Sequence, residues 1–204
     1  AFYWCRKNRI PYGVACETSC LSTKCDGLSW QIKKRIFGSV VKNMSFGLPQ
    51  GKDSAEYLNL LGNGSFPMFP FPNTPNPNRF IDLSKNLNKS NKIIHILSLY
   101  GIPINKRIIL FVGRLIEAKR PDDLIRAFEK VYLEYNNSLV LFIGDGPLMG
   151  QLVKKSKSMP IIFTGWIKDQ DHIALLMAYS TVFVLPSEHE PWGAVVNEAL
   201  ASGT

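Results

Sequence analysis

The chain has 204 residues and 23.0 kDa, enough for one or two domains with a sizeable core. With 46% hydrophobic and 20% charged residues it is globular in composition, neither disordered nor fibrous. Lys and Arg number 24 against 16 Asp and Glu, and the resulting net charge of +8 favours an anionic partner: a phosphorylated small molecule, an anionic lipid surface or a nucleic acid.

No apolar run approaches the roughly 20 residues that a membrane-spanning helix needs. Ala1 to Trp4 is apolar, but Arg6, Lys7 and Arg9 follow at once, which is no signal peptide. A cytoplasmic protein is therefore expected. Cys5, Cys16, Cys20 and Cys25 match no zinc pattern of paired cysteines and read as reduced, partly buried thiols. The chain lacks an initiator Met and stops at Ala201-Ser202-Gly203-Thr204, where a helix would hand over to a strand, so it reads as an internal fragment of a longer protein.

In the first hundred residues, Ile10 to Cys16 reads as a strand, Leu28 to Val41 as a helix with a basic face (Lys33, Lys34, Arg35), Asn43 to Phe46 as a second strand, and Ser54 to Leu61 as a helix closed by Gly62. Residues 66–78 hold five prolines and read as a linker or extended crossover. An Asn- and Lys-rich stretch follows, with a helix near Lys92–Tyr100, and a domain boundary is expected around residues 80–105.

From Arg107 onward strands and helices alternate. Arg107–Val112 and Ser138–Ile143 are continuous apolar runs, the pattern of strands buried on both faces. Pro160–Phe163 and Thr181–Leu185 are the third and fourth strands. The helices between and after them are expected from Pro121 to Tyr135, about Leu148 to Lys157, Gln170 to Tyr179, and Gly193 to Ser202. Short loops between alternating elements predict βαβ units and a parallel sheet covered on both faces. Ligands of such sheets bind beyond the carboxyl ends of the strands, so the residues after each strand carry the chemistry.

Gly113-Arg114 followed by Lys119-Arg120 and a helix start places two or three cations where a phosphate or diphosphate would be favoured, or where solvated loop cations would sit. Gly144-Asp145-Gly146 has Met149 where a dinucleotide fingerprint needs its third glycine, and reads as a tight turn. Glu190 and Glu198 lie eight residues apart around the start of the last helix. At about 1.5 Å rise per residue their carboxylates would be about 10 Å apart, too far to share a proton and suited to holding different parts of one polyhydroxylated ligand. The free N–H groups from Trp192 to Val195 would face that ligand. Taken singly, Glu190 also reads as a helix cap, Glu198 as a solvated helix face and His189 as an exposed loop histidine.

Phe111-Val-Gly-Arg-Leu115, Lys119-Arg-Pro-Asp-Asp-Leu-Ile-Arg-Ala-Phe128, Phe142-Ile-Gly-Asp-Gly-Pro-Leu148, Phe163-Thr-Gly-Trp166, Val184-Leu-Pro-Ser187 and the stretch from Glu190 to Gly203 occur in that order over about 100 residues. Together they resemble the retaining glycosyltransferases of family 4, also called group 1 glycosyltransferases, with the α/β, Rossmann-like GT-B fold; Glu190 and Glu198 match the family's E-x7-E motif. The resemblance implies a metal-independent transfer, with no cofactor, of a sugar from a nucleotide-sugar donor to a glycan or lipid-linked acceptor. It assigns Glu190, Arg114 and Lys119 as catalytic. Arg114 and Lys119, beside Gly113, would hold the donor diphosphate, Glu190 the donor sugar, and Glu198 the ribose. Backbone around Trp192, Gly193, Ala194 and Val195 would bind sugar and phosphate, and Gly165-Trp166-Ile167 would lie along the base.

By the same resemblance, residues 1–80 hold the end of an acceptor-side domain and the crossover, with Pro72-Asn73 similar to the segment between the family's two domains. Residues 81–105 are a linker and 106–204 a truncated donor domain. The family's glycine-rich acceptor loop and its polar acceptor-side residue, often His or Asp, are not matched, so the fragment alone is expected to be inactive. Peripheral attachment to an anionic membrane is expected of helix Leu28–Val41, where Trp30, Ile32, Ile36 and Phe37 interleave with the three cations; an ordinary amphipathic helix packed on the sheet is the other reading. A basic nucleic-acid-binding module is the competing function, but no helix-turn-helix, RRM or KH pattern is present and no nucleic-acid partner is expected.

Overall fold

The structure, a computed structural model, describes residues 1–72, 76–87, 92–190 and 192–204. They fall into two compact units. One takes residues 1–72 together with His189, Glu190 and Trp192; the other takes residues 76–87, 92–188 and 193–204.

The first unit begins with α1 (Phe2–Lys7), β1 (Gly13–Cys16), α2 (Gly27–Lys42), β2 (Phe46–Pro49) and α3 (Lys52–Gly62). β1 and β2 are parallel, registered from Gly13 opposite Phe46 to Cys16 opposite Pro49. β2 starts where the expected strand Asn43–Phe46 was to end. The intervening residues finish α2: the Asn43 side-chain amide donates to Ser39 O (2.6 Å) and Met44 N–H donates to Val41 O (3.1 Å).

The proline-rich segment is not only a linker. Gly47 N–H donates to Pro67 O (2.8 Å), Phe69 N–H to Gly47 O (2.9 Å) and Phe71 N–H to Pro49 O (2.8 Å). The run therefore pairs along β2 by alternate residues, and Pro70 and Pro72 fall on the outward edge, where no N–H is needed. Asn73 and the rest of that segment up to residue 75 lie outside the described residues. Val41, Met44, Tyr57, Leu58 and Leu61 form this unit's core.

Two of the four cysteines depart from the expectation of reduced thiols. Cys20 and Cys25 are joined by a disulfide with Cα atoms 5.3 Å apart, because a turn at Ser19–Thr23 brings them together. Cys5 and Cys16 are free, and burial pushes the Cys16 thiol up from its ordinary pKa.

The second unit contains α4 (Pro77–Lys85), α5 (Lys92–Leu99), β3 (Arg107–Val112), α6 (Pro121–Glu134), β4 (Ser138–Ile143), α7 (Met149–Lys155), β5 (Ile161–Phe163), α8 (Gln170–Tyr179), β6 (Val182–Phe183) and α9 (Ala194–Ser202). Residues 81–105, expected as a linker with a helix near Lys92–Tyr100, hold the end of α4 and all of α5 (Lys92–Leu99). Phe80, Ile93, Ile96 and Leu97 are buried in this unit's core.

The sheet is parallel throughout, in the order β5-β4-β3-β6. All six residues of β4 are buried. Its side chains alternate between two cores, as a strand's period of two requires. Leu139, Leu141 and Ile143 join Ile108 and Leu110 under α4, α5 and α8, while Val140 and Phe142 join Phe111 under α6 and α7. Each such buried aliphatic or aromatic side chain contributes about 1.5–3 kcal/mol. The chain runs from β3 outward to β5, then returns to place β6 on β3's other side. That reversal makes the β3–β6 boundary the switch point of the sheet, where parallel sheets open a crevice. Among the described residues no helix is long and apolar enough to cross a membrane.

Candidate functional site

The loops that leave β3, β4 and β5 at their carboxyl ends are tied to one another by backbone hydrogen bonds. Gly113 N–H donates to Ile143 O and Leu115 N–H to Asp145 O (both 3.0 Å), Leu148 N–H to Leu115 O (3.1 Å), and Gly144 N–H to Gly165 O (2.9 Å). The approach is close. Gly144 has φ +135°, and a Cβ there would lie 2.0 Å from Gly113 O; a Cβ at Gly146 would lie 2.4 Å from Leu115 O. The Gly144-Asp145-Gly146 turn is thus explained by packing of one strand end on the next, in line with the tight turn read from the sequence.

This close weave leaves a cavity of about 160 Å³. Val112, Gly113 and Arg114 line it from the β3 end, Ile143 and Gly144 from β4, and Trp166, Ile167 and Ile173 from the β5 loop and α8. Four sequence-predicted residues (Gly113, Arg114, Trp166 and Ile167) therefore meet at one place. The interior is aliphatic, Trp166 stands at the rim with 74% exposure, and Arg114 is exposed, its side chain making no hydrogen bond or ion pair among the described residues. The space suits one flat ring with an anionic group outside it, and is smaller than a pocket that would engulf a whole ligand of several hundred Å³. Gly165 contributes its carbonyl to the Gly144 bond rather than lining the cavity. Val112, Ile143, Gly144 and Ile173 were not singled out as site residues; Val112 and Ile143 end buried strands, Gly144 follows β4, and Ile173 is an inward residue of α8.

Lys119 lies in a short 3-10 helix, Glu117–Lys119, and is half-buried. Glu188 N–H donates to Ala118 O (3.0 Å), which joins the loop after β6 to this turn across the switch point. Arg120, counted in the sequence among the anion-binding cations, is committed elsewhere. Its Nε donates to Asp123 Oδ2 (2.5 Å), and Arg126 also pairs with Asp123, so the two guanidinium groups hold the Asp123 carboxyl below its ordinary range, Arg126 the more strongly.

Gly193, at φ +68°, leads into α9, whose first residue is Ala194 rather than Gly193, and no side chain caps this helix end among the described residues. The amides of Ala194 and Val195 thus belong to an uncapped first turn. Glu198 is the fifth residue of α9 and half-buried, and burial pushes its carboxyl up. Glu190 and Trp192 group with the first unit, whereas Gly193, Ala194, Val195 and Glu198 group with the second. The Trp192 indole N–H is buried with no acceptor among the described residues, and Pro191 lies outside them. His189 is not the exposed loop histidine expected: it is half-buried, with Nε2 3.4 Å from the Ser19 hydroxyl. A second cavity, about 470 Å³ between α4, α5 and α8, had no sequence signal; the Tyr100 hydroxyl lies 2.9 Å from His172 Nδ1 beside it.

Residues 98–204, just over half the chain, match the sequence model of the family described as glycosyl transferases group 1. The chain belongs to that family. Over 108 residues, 51% of this chain and 27% of the relative, it is 34% identical to the N-acetyl-alpha-D-glucosaminyl L-malate synthase of Bacillus anthracis. Over 97 residues, 48% of this chain and 26% of the relative, it is 34% identical to a GDP-mannose-dependent phosphatidylinositol dimannoside mannosyltransferase of Mycobacterium tuberculosis. Among solved structures, HepE of Anabaena in complex with UDP superposes with a TM-score of 0.73 at 18% identity, covering 98% of this chain and 53% of that one. The trehalose-phosphate synthase of Burkholderia xenovorans in complex with glucose-6-phosphate gives 0.74 at 13% identity, covering 97% and 52%. At such identities the likeness bears on the fold, which is that of the GT-B glycosyltransferases. The matched stretch spans about a quarter of these curated relatives, and the chain spans about half of these solved structures.

Proposed function

We propose that the protein to which this chain belongs transfers a sugar, with retention and without a metal, from a nucleotide-sugar donor to a glycan or lipid-linked acceptor. The observation that carries this reading is the strand-end cavity that puts the Arg114 guanidinium beside an aliphatic slot with Trp166 at its rim. The slot takes the flat base, and Arg114 and Lys119 take the diphosphate and stabilise its charge as the bond to the sugar breaks. The uncapped first turn of α9 adds N–H groups of the same sign, Glu198 accepts from the ribose, and Glu190 accepts from the donor sugar. Cations and amides do the neutralising here, which is the argument for independence from metal.

Calorimetric titration of the full-length protein with UDP and with GDP tests this reading. One of the two binds, and the winner names the base; a folded protein that binds neither refutes it. The relatives' names point both ways: HepE is a UDP complex, and the mycobacterial relative is GDP-mannose-dependent.

The acceptor side is proposed to work at an anionic membrane surface. Leu28, Ile32 and Ile36 recur every four residues along α2 and are 74%, 51% and 59% exposed, a helix face rich in aliphatic side chains. Lys33, Lys34 and Arg35 share the helix, which carries no acidic residue. Trp30 is not part of that face; it packs toward Tyr57 in the core. Sedimentation with anionic and with neutral vesicles should show binding to the former only, lost when the three cations are replaced. Equal, negligible binding to both removes the membrane role and leaves the transferase reading intact.

A further inference from the structure

Residues 17–26, between β1 and α2, take no part in the strand-end cavity, yet they hold a residue that stands next to Glu190 in the chain. The loop folds around Ser19. Ser22 N–H and Thr23 N–H donate to Ser19 O (3.2 and 3.1 Å), the Ser22 hydroxyl donates to the same carbonyl (3.0 Å), and Ser19 N–H donates to Ser22 Oγ (3.0 Å). The Cys20–Cys25 disulfide closes the other side.

Ser19 is only 2% exposed, although Cys20, Leu21 and Ser22 around it are exposed. A buried hydroxyl needs partners. Ser19 Oγ has three: it accepts from Ser22 N–H (3.2 Å), and it lies 3.4 Å from Ser22 Oγ and 3.4 Å from His189 Nε2. The histidine comes from 170 residues away and immediately precedes Glu190. Leu21 is 70% exposed and gives the loop no apolar anchor, so the covalent link and the small ring of hydrogen bonds are what present the Ser19 hydroxyl to the histidine.

We propose that the disulfide-closed loop is a positioning element: through Ser19 it fixes His189, and the His189–Glu190 segment therefore answers to the thiol–disulfide state of Cys20 and Cys25. Its consequence for donor handling rests on the role proposed for Glu190; the coupling itself does not.

The chemistry is thiol–disulfide exchange. A thiolate of a dithiol reductant attacks the exposed Cys20 sulfur, the S–S bond breaks with Cys25 leaving as a thiolate, and the reductant's second thiol displaces Cys20. Two electrons and two protons pass to the loop, which becomes a dithiol, and the reductant leaves as a cyclic disulfide. A low-molecular-weight disulfide reverses the step, taking the same electrons and protons.

The test uses the full-length protein, oxidised with glutathione disulfide or reduced with dithiothreitol. Amide hydrogen exchange is followed in a peptide covering residues 186–190. Reduction should speed exchange there about 3- to 10-fold, the worth of one neutral hydrogen bond. The double variant Cys20→Ser with Cys25→Ser should exchange fast under both conditions. Ser19→Ala should also be fast and indifferent to reductant, while Ser19→Thr, which keeps the hydroxyl, should behave as wild type. With a turned-over donor, reduction should raise its KM about 5-fold and leave kcat within about twofold, by the same hydrogen-bond measure. Equal exchange in the two states, a response that survives in the double serine variant, or peptide mapping that finds Cys20 and Cys25 unpaired after oxidation would each overturn the proposal. If neither UDP nor GDP binds but exchange still responds to reduction, the loop coupling stands and the glycosyltransferase reading falls.

Discussion

Replacing Gly144 by Ala separates two roles that a glycine at a strand end can play. It can let a phosphate approach the backbone, or let one strand end pack on the next. Here the φ of +135° is open to glycine and strained for any L side chain. The new Cβ would stand 2.0 Å from Gly113 O and 2.9 Å from Gly113 C. Ordinary contact needs over 3 Å, so the β3 and β4 ends must part by about 1 Å. Backbone strain of about 1–3 kcal/mol and overpacking of about 1–3 kcal/mol together give a loss of about 2–6 kcal/mol. That is a large share of the roughly 5–15 kcal/mol by which domains are stable. The assay is denaturant unfolding of the full-length protein, read from the midpoint at unchanged slope. Gly150→Ala is the control: it lies in α7 with nothing within 4 Å of the new Cβ, and should be neutral or stabilising by up to about 1 kcal/mol. Because the displaced carbonyl belongs to Gly113, nucleotide binding should weaken along with stability. A Gly144→Ala protein that unfolds within about 1 kcal/mol of wild type while losing nucleotide binding would mean that the glycine serves the ligand, and that packing is the wrong explanation.

Where the fold could be read from the sequence, a local pattern and the tertiary environment agreed. β3 and β4 are buried on both faces, so their apolar runs are continuous and their bounds match expectation; α8 spans Gln170–Tyr179 as its inward Ile173, Leu176 and Met177 require. Other features depend on partners distant in sequence. The proline-rich segment reads as a linker or extended crossover, and only with β2 beside it is it clear that it pairs, because only alternate N–H groups are needed. Arg120 looks like an anion ligand until the left-handed turn before α6 aims it at Asp123. His189 looks solvated because Ser19 is 170 residues away. The site shows the same division. Gly113, Arg114, Trp166 and Ile167 meet because parallel strands deliver their ends to one edge, which topology alone dictates. The estimate of about 10 Å between Glu190 and Glu198 used a helix rise that holds only inside α9; the chain is left-handed at Gly193, and the two glutamates belong to different units.

Three further substitutions bear on the donor site. Arg114→Ala removes an exposed cation with no partner among the described residues, so stability should change by less than about 0.5 kcal/mol while nucleotide affinity by calorimetry falls about 10- to 100-fold; unchanged affinity removes Arg114 from the site. Glu190→Gln should cut kcat of the full-length enzyme by orders of magnitude in a protein that still folds, and wild-type turnover would show that the sugar contact lies elsewhere. Glu198→Gln should trade the other way. Burial raises the Glu198 carboxyl pKa in the folded state, so between the unfolded and folded values the folded protein holds a proton that the unfolded chain has lost. Stability from this group is then complete below the unfolded value and falls as pH rises through the folded one. Gln carries no such penalty. The variant should melt with the wild type near pH 4, about the unperturbed glutamate value, and above it near pH 7, by differential scanning calorimetry. Nucleotide affinity should meanwhile fall about tenfold with the loss of a charged acceptor. A variant that melts below wild type near pH 7 would mean that the carboxylate is held by a partner in the fold. A variant that is stabler and binds equally well would mean that the buried charge serves no ligand, and that the ribose is held by something other than Glu198.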